Sequence, residues 1–383
     1  MAKYGLKWID SDMHLCEPVD LWDAYIAPRY KQWVPRWSGI VGQDHPLRNR
    51  GAFAMGKKTP KSARAPRPPD TIIRELRERR FPIYAPYMSP DGTHVDPAGQ
   101  LRAMATEGID IAILFPTFGT RGWQHEHIES DVAMALAQAY NDWLYDFCQT
   151  APARLKLNAL IPMTDVPAAV HEVRRAVTQL GAVSVSPGTS RRDIRLDNPF
   201  YEPIWEACAR LGVAVAFHGA RQVHLKERYK DSVLMAHASG RGIEHPVAFM
   251  ELLFGGVLER HPTMRCAFLE AGCSWVPYWL FRLEEEWKRF RDAMPGLARN
   301  VTMPPLEYWR RQCYSAVEVD EWSLQGVIAT IGDTNLVISS DFPHFDSPFP
   351  EAFDRFMQLP GVSRESKAKI LWDNCAALYC LEA

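Results

Sequence analysis

The sequence predicts an α/β chain, and more narrowly a (β/α)8 TIM barrel with a long insertion after the first strand. Three observations predict it. Apolar runs of strand length alternate with helical patterns eight times along the 383 residues, and such alternation builds a parallel sheet. The apolar runs, such as Ile109-Asp110-Ile111-Ala112-Ile113-Leu114-Phe115-Pro116, are nearly continuous, as parallel strands buried on both faces require. No glycine-rich phosphate loop follows any of them, which weighs against an open doubly wound sheet.

The elements follow in order. Leu6 to Ile9 reads as the first strand and Val19 to Ile26 as a short helix. From about Ala27 to Val95 there is little periodicity, and Pro, Gly, Arg and Trp dominate. An irregular stretch this long is usually a lid, a binding loop or a small insertion, and we place that lid or insertion at about 39–95, with Arg74 to Arg80 as one helix inside it. Asp96 and Pro97 open a helix, as N-cap and first-turn proline, that stops at Gly108. The strands then expected are 109–116, 155–162, 182–186, 213–218, 265–270, 313–319 and 336–341. Helices are expected at 131–148, 166–180, 199–211, 246–260, 275–294 and 321–331, and from Glu351 and Ser363. One domain spanning 1–383 is expected, with no internal repeat.

Composition bounds the function. The chain is 47% hydrophobic and 23% charged, ordinary for a protein with a large core. Its 44 basic and 46 acidic residues leave a net charge of −2, so nothing favours nucleic acid or an anionic membrane as a partner. No run of about 18 apolar residues suggests a membrane span. The eight cysteines are scattered with no C-x-x-C pair, and Met1-Ala2-Lys3-Tyr4 shows no signal peptide. Reduced thiols and a cytoplasmic location are the expectation. A small-molecule substrate is expected, and a homodimer is plausible.

In a barrel, chemistry collects at the C-terminal ends of strands. Here those ends carry Asp12 and His14, His218, Glu270, and Asp341 followed by His344. A lone histidine there is more often a satisfied buried residue. Several convergent acids and imidazoles are different, because unpaired buried carboxylates are costly and a divalent ion such as zinc, manganese or iron resolves that cost. Alternation along an extended chain places Asp10, Asp12 and His14 on one face. Asp10 lies one step behind and would support the barrel or orient a ligand. Glu17 could ligate, act as a base or cap the next helix. His245 precedes Pro246 at an expected helix start, so its side chain could turn inward. His224 and His237 fall in the expected loop after the fifth strand, and His94, His125 and His127 read as surface or lid residues. The aromatics Trp33, Trp37, Phe81, Tyr84, Tyr87, Phe118, Trp123, Trp275 and Phe342 suggest a partly apolar substrate, such as a ring, and nearby arginines could pair with a carboxylate on it.

The opening Asp12-Met13-His14, the pair His218-Gly219 and Ser340-Asp341-Phe342-Pro343-His344 resemble the amidohydrolase superfamily. The nearest branch is the "amidohydrolase 2" group related to aminocarboxymuconate semialdehyde decarboxylase. Phe254 to Pro262, Phe268-Leu269-Glu270-Ala271-Gly272 and Ile370 to Tyr379 match that group's habit. The resemblance covers nearly the whole chain apart from about Gly39 to Tyr87. It implies one divalent ion held by Asp12, His14, His218 and Asp341. Two departures stand out. Asp12 occupies the place of the usual first histidine, and Glu270 stands where the decarboxylases commonly carry a catalytic histidine. Glu270 is an extra carboxylate that could bridge or hold a second ion. The leading expectation is a metal-dependent hydrolase working through metal-activated water, with Asp341 moving the proton and His344 polarising the substrate oxygen. The alternatives are a metal-dependent non-oxidative decarboxylase, a di-iron oxygenase and a non-catalytic metal-binding scaffold. Structural zinc sites are usually closed and rich in thiolate, and these ligands are not.

Overall fold

The computed structural model describes residues 3–18, 20–34, 36–37, 53–54, 82–92, 94–117, 128–187, 194–218, 232–344 and 346–382. Eight parallel strands run in chain order around one sheet. We number them β1 (Ile9–His14), β2 (Ile111–Phe115), β3 (Leu155–Ile161), β4 (Ser184–Pro187), β5 (Ala214–His218), β6 (Cys266–Leu269), β7 (Cys313–Val317) and β8 (Leu336–Ile338). The first and last meet. Ser11 Oγ donates to Ile338 O at 2.7 Å, Ser339 Oγ donates to Asp12 O at 2.9 Å, and His14 N donates to Phe342 O at 2.7 Å. The sheet therefore curls into a (β/α)8 barrel rather than lying open.

Local signals explain most elements. The helix Pro97–Glu107 begins where Asp96 accepts a hydrogen bond from Gly99 N at 2.6 Å and ends on Gly108 at φ 89°, a left-handed turn that glycine adopts without steric cost. Two apolar clusters then divide the molecule. One lies between the sheet and its surrounding helices. The other fills the barrel with Ile9, Ile113, Phe115, Ala214, Ala216, Ala267, Leu269 and Val337, and takes in Cys375, Leu378 and Tyr379 from the C-terminal helix. Tyr379 is anchored there by its hydroxyl, which donates to Ser11 O at 2.8 Å.

Two expectations need correction, and one helix was not foreseen. β1 runs through the acids instead of ending before them. The helix expected from Pro246 begins at Val233, where Ser232 caps it by accepting from Met235 N, and continues to Phe254. Pro246 lies inside this helix, where its ring nitrogen cannot donate the hydrogen bond to the carbonyl one turn earlier. His237 and His245 are thus helical residues. A helix at Pro305–Gln312 was not anticipated; its eight residues are too few to display a clear period. The proposed insertion at about 39–95 falls largely outside the described residues, as does the helix at Arg74 to Arg80. Among the described residues no helix is long and apolar enough to cross a membrane.

Candidate metal centre

The site is assembled at the β1–β8 seam. Ile9 pairs with Ile111 and faces the barrel interior, whereas His14 pairs with Phe115, also interior. His14 lies five positions after Ile9, an odd offset that regular alternation cannot reconcile. The register accordingly shifts between Asp10 and Met13; a bulge inserts the extra residue. Asp10 is therefore not on the face of His14, contrary to the simple alternation. Its carboxylate turns into the seam and accepts from Asp12 N at 3.1 Å and Ser340 N at 3.2 Å. Burial pushes its carboxyl up to about 7 against those hydrogen bonds.

Beyond the bulge, Asp12 and His14 point to a common centre with His218 at the end of β5. His14 Nε2 lies 3.0 Å from His218 Nε2, and the two nitrogens lie 3.3 and 3.1 Å from Asp12 Oδ1 and Oδ2. Asp341 Oδ1 stands 3.3 Å from His14 Nε2 and 2.7 Å from His344 Nδ1. Glu270 closes the ring, 3.5 Å from both His218 Nε2 and His344 Nδ1. Glu270 and Asp341 adopt φ of 62° and 53°. Left-handed conformations in non-glycine residues cost about 1–3 kcal/mol and gather at functional sites. Both side chains owe their inward aim to that turn of the backbone.

The electrostatics set neighbouring groups apart. Burial works against charge on Asp12, yet His218 and His14 hold its carboxyl down at about 2. Burial likewise opposes charge on His218, but Asp12 and Glu270 push it up to about 9. His14 is lowered, by burial and then by His344. Against burial, His218 and Arg241 keep Glu270 well below the usual range, whereas burial and the charge of Glu270 drive Asp341 well above it.

These groups fit a divalent ion. Pro116 O, 3.0 Å from His14 Nδ1, can only accept, so Nδ1 carries the proton and Nε2 presents its lone pair to His218. Both carboxylate oxygens of Asp12 and Oδ1 of Asp341 are buried without a well-aligned hydrogen-bond donor. Facing lone pairs and donor-starved carboxylate oxygens are costly together, and a cation removes the cost. Two overlapping groups could hold one: Asp12, His14 and His218; or His14, Glu270, Asp341 and His344.

Comparison with known proteins agrees with this architecture. The family model described as "Amidohydrolase" (Amidohydro_2) matches residues 9–381. The chain belongs to the amidohydrolase family. It is 26% identical over 249 residues to 2-amino-3-carboxymuconate-6-semialdehyde decarboxylase of Dictyostelium discoideum, covering 65% of this chain and 67% of that protein. It is 24% identical over 270 residues to gamma-resorcylate decarboxylase of Rhodococcus jostii, covering 66% and 79%. Among solved structures, a dihydroxybenzoic acid decarboxylase from Polaromonas, with bound manganese and the inhibitor 2-nitroresorcinol, shares the fold with a TM-score of 0.67 at 20% identity over 100% of this chain and 98% of that one.

The remaining candidates of this amidohydrolase fall around the centre. Glu17 joins neither group; its Oε1 accepts from Thr117 N at 3.1 Å, and Thr117 Oγ1 sits 3.2 Å from His344 Nε2. It is thus connected to the cluster through Thr117. His245 is turned inward, but from the middle of its helix, and its Nε2 meets Leu269 O at 2.6 Å, next to Glu270. Tyr84 donates to His344 O at 2.8 Å, whereas Phe342 is buried in the core and Trp275 packs edge-on against Phe268 and Trp309. His94 pairs with Ser89 and Asp91. His125, His127, His224, Phe81, Phe118 and Trp123 lie outside the described residues, as does the side chain of Trp37.

Three residues escaped the sequence argument. Arg241 binds Glu270 through a short contact and approaches Asp346 at 3.4 Å, and His237 approaches the same Asp346 oxygen at 3.4 Å. Setting the helix start at Pro246 left Arg241 in a loop, although Ser232 before Val233-Leu234-Met235 was a usable cap signal. Thr117, two residues past β2, sits at a strand end like the others and could have been found by the same rule. Asp346 lies in an irregular, proline-rich turn with no periodic signal.

Proposed function

We propose that this amidohydrolase is a metal-dependent, non-oxidative decarboxylase of a small aromatic or diene carboxylate. The observation that carries the proposal is the pair of decarboxylase relatives, each aligned over about two thirds of the chain. The manganese bound by the structural neighbour supports a divalent ion here.

Asp12, His14 and His218 would hold the ion, with Asp341 completing the set. When bound, it supplies a positive anchor for the substrate carboxylate and an adjacent oxygen. The chain's own residues do the rest. In decarboxylation the carbon–carboxylate bond breaks, its electron pair remains on the substrate carbon, that carbon takes a proton, and CO2 departs. His344, whose Nδ1 lies 2.7 Å from Asp341 Oδ1, would carry the proton and deliver it to carbon, with the Asp341 carboxylate holding the ring's charge beside the site. Thr117, 3.2 Å from Nε2 of His344, and Tyr84, bonded to the His344 carbonyl, keep that ring in place. Correct placement of a proton donor is worth about 10²–10⁴-fold in rate.

Hydrolysis remains a second reading on one specific observation, the carboxylate of Glu270 at the end of β6. One experiment separates them. Manganese-loaded protein is given hydroxylated aromatic carboxylates in D2O, and released CO2 and deuterium on the product carbon are measured. CO2 with one deuterium per turnover is expected. Turnover of esters or lactones with label entering from H2¹⁸O, and no CO2 from any carboxylate, overturns the proposal.

A further inference from the structure

Two ion-holding groups overlap in one cluster, and one cation already present in the chain bears on which of them fills. Arg241 is the one arginine or lysine paired with a cluster carboxylate among the described residues. Its Nη2 contacts Glu270 Oε1, the oxygen that also faces His344 Nδ1 at 3.5 Å. That oxygen is the one a second ion would need if it were to sit among Glu270, Asp341 and His344. The guanidinium is not free to leave it: Nη1 reaches Asp346 Oδ2 at 3.4 Å, so the fork spans the ends of β6 and β8.

Charge points the same way. Asp12, Glu270 and Asp341 are three carboxylates in a buried cluster. Arg241 lies against Glu270 and, through its other nitrogen, Asp346, so a positive charge already stands beside the Glu270 carboxylate. A second divalent ion beside Glu270 would stand close to that guanidinium, and like charges repel strongly where screening is weak. Glu318, just past β7, is a further acid whose charge Arg241, Asp341 and Glu270 feel, so the position of the guanidinium beside Glu270, not a count of charges, is what disfavours a second ion.

We propose that Arg241 is a positioning residue that limits this centre to one divalent ion, by holding Glu270 Oε1 and standing where the charge of a second ion would fall. The group Glu270, Asp341 and His344 is then a latent second metal site, opened when the guanidinium is removed. Arginine suits the role because its charge does not titrate and its planar fork bridges two carboxylates at once. The inference rests on the metal-holding part of the proposed function and not on the reaction catalysed.

The test is metal content. Wild type, R241Q and R241K are stripped with chelator, reloaded with excess Mn2+ and desalted. Manganese per chain is counted by mass spectrometry, and the electron spin resonance spectrum is recorded. Wild type is expected to hold one ion with an uncoupled signal. R241Q should hold two, with the multiline spectrum of a coupled pair, and R241K, which keeps the charge, should stay at one. The double variant R241Q/E270Q should return to one. Should R241Q fail to fold, R241M carries the same test with an apolar chain of similar reach. Two ions in wild type, or one in R241Q and R241M alike, overturns the proposal. No ion in wild type overturns the metal-dependent function together with it, so the two failures are told apart.

Discussion

Two buried polar clusters belong to the same barrel and could hardly differ more. On β3 and β4, Asn158 donates to Ser186 Oγ at 3.0 Å, and Ser184 Oγ donates back to Asn158 Oδ1 at 2.8 Å. Every member is neutral and partnered. Across the barrel, Asp12 and Asp341 expose carboxylate oxygens to no aligned donor, two imidazole nitrogens face each other, and two acids sit in left-handed backbone. A satisfied neutral network stabilises the barrel. An unsatisfied charged one costs stability, and its persistence marks the place where a ligand binds.

Breaking the two clusters should therefore have opposite consequences. The largest effect is expected from D341N, which should cut turnover by about 10²–10⁴-fold while leaving the melting temperature of the metal-free protein unchanged or higher, since it removes a carboxylate that burial already disfavours. A clear fall in the metal-free melting temperature would place Asp341 with the structural cluster instead. Metal removal comes next. Chelation should abolish activity reversibly, and Mn2+ at about a hundredfold over its dissociation constant should stabilise the fold by about 2.7 kcal/mol, read as a shift in urea midpoint. Loss of activity with no such shift would mean that the ion is not held by the native cluster.

On the satisfied side, N158L should lower stability by about 1–3 kcal/mol by stranding the Ser184 hydroxyl, with turnover retained once folded. The smallest effect concerns Asp10. Its carboxyl is shifted from 3.8 to about 7 by burial. Between those values the folded protein holds a proton that the unfolded chain has lost. The Asp10 contribution is thus fully present below 3.8, declines as pH rises and is gone above about 7. In the metal-free protein, D10N should flatten that decline in thermal melts recorded across the window. An unaltered slope would show that Asp10 is not its source.

Much of the fold was legible because its determinants are local. The Asp96 cap, the Gly108 stop and the apolar run of β2 need only neighbours in sequence. The order of eight such units, with no phosphate loop, was enough for a barrel. The site was legible in part. His218 and Asp341 follow apolar runs at the open end, and the barrel forces such ends together. Arg241 was missed because a proline masked the true start of its helix, and Asp346 because its turn has no period at all.

What the chain alone determined, then, is which acids and imidazoles stand at strand ends, since strand and helix periods are written in residue types. What only the closed barrel decided is where each one points. The bulge between Asp10 and Met13, the left-handed turns at Glu270 and Asp341, and the guanidinium of Arg241 on Glu270 all depend on contacts between residues far apart in sequence. Whether a carboxylate ends as a seam fastener, an ion ligand or an arginine's partner depends on those contacts, because its charge is worth different amounts beside different neighbours.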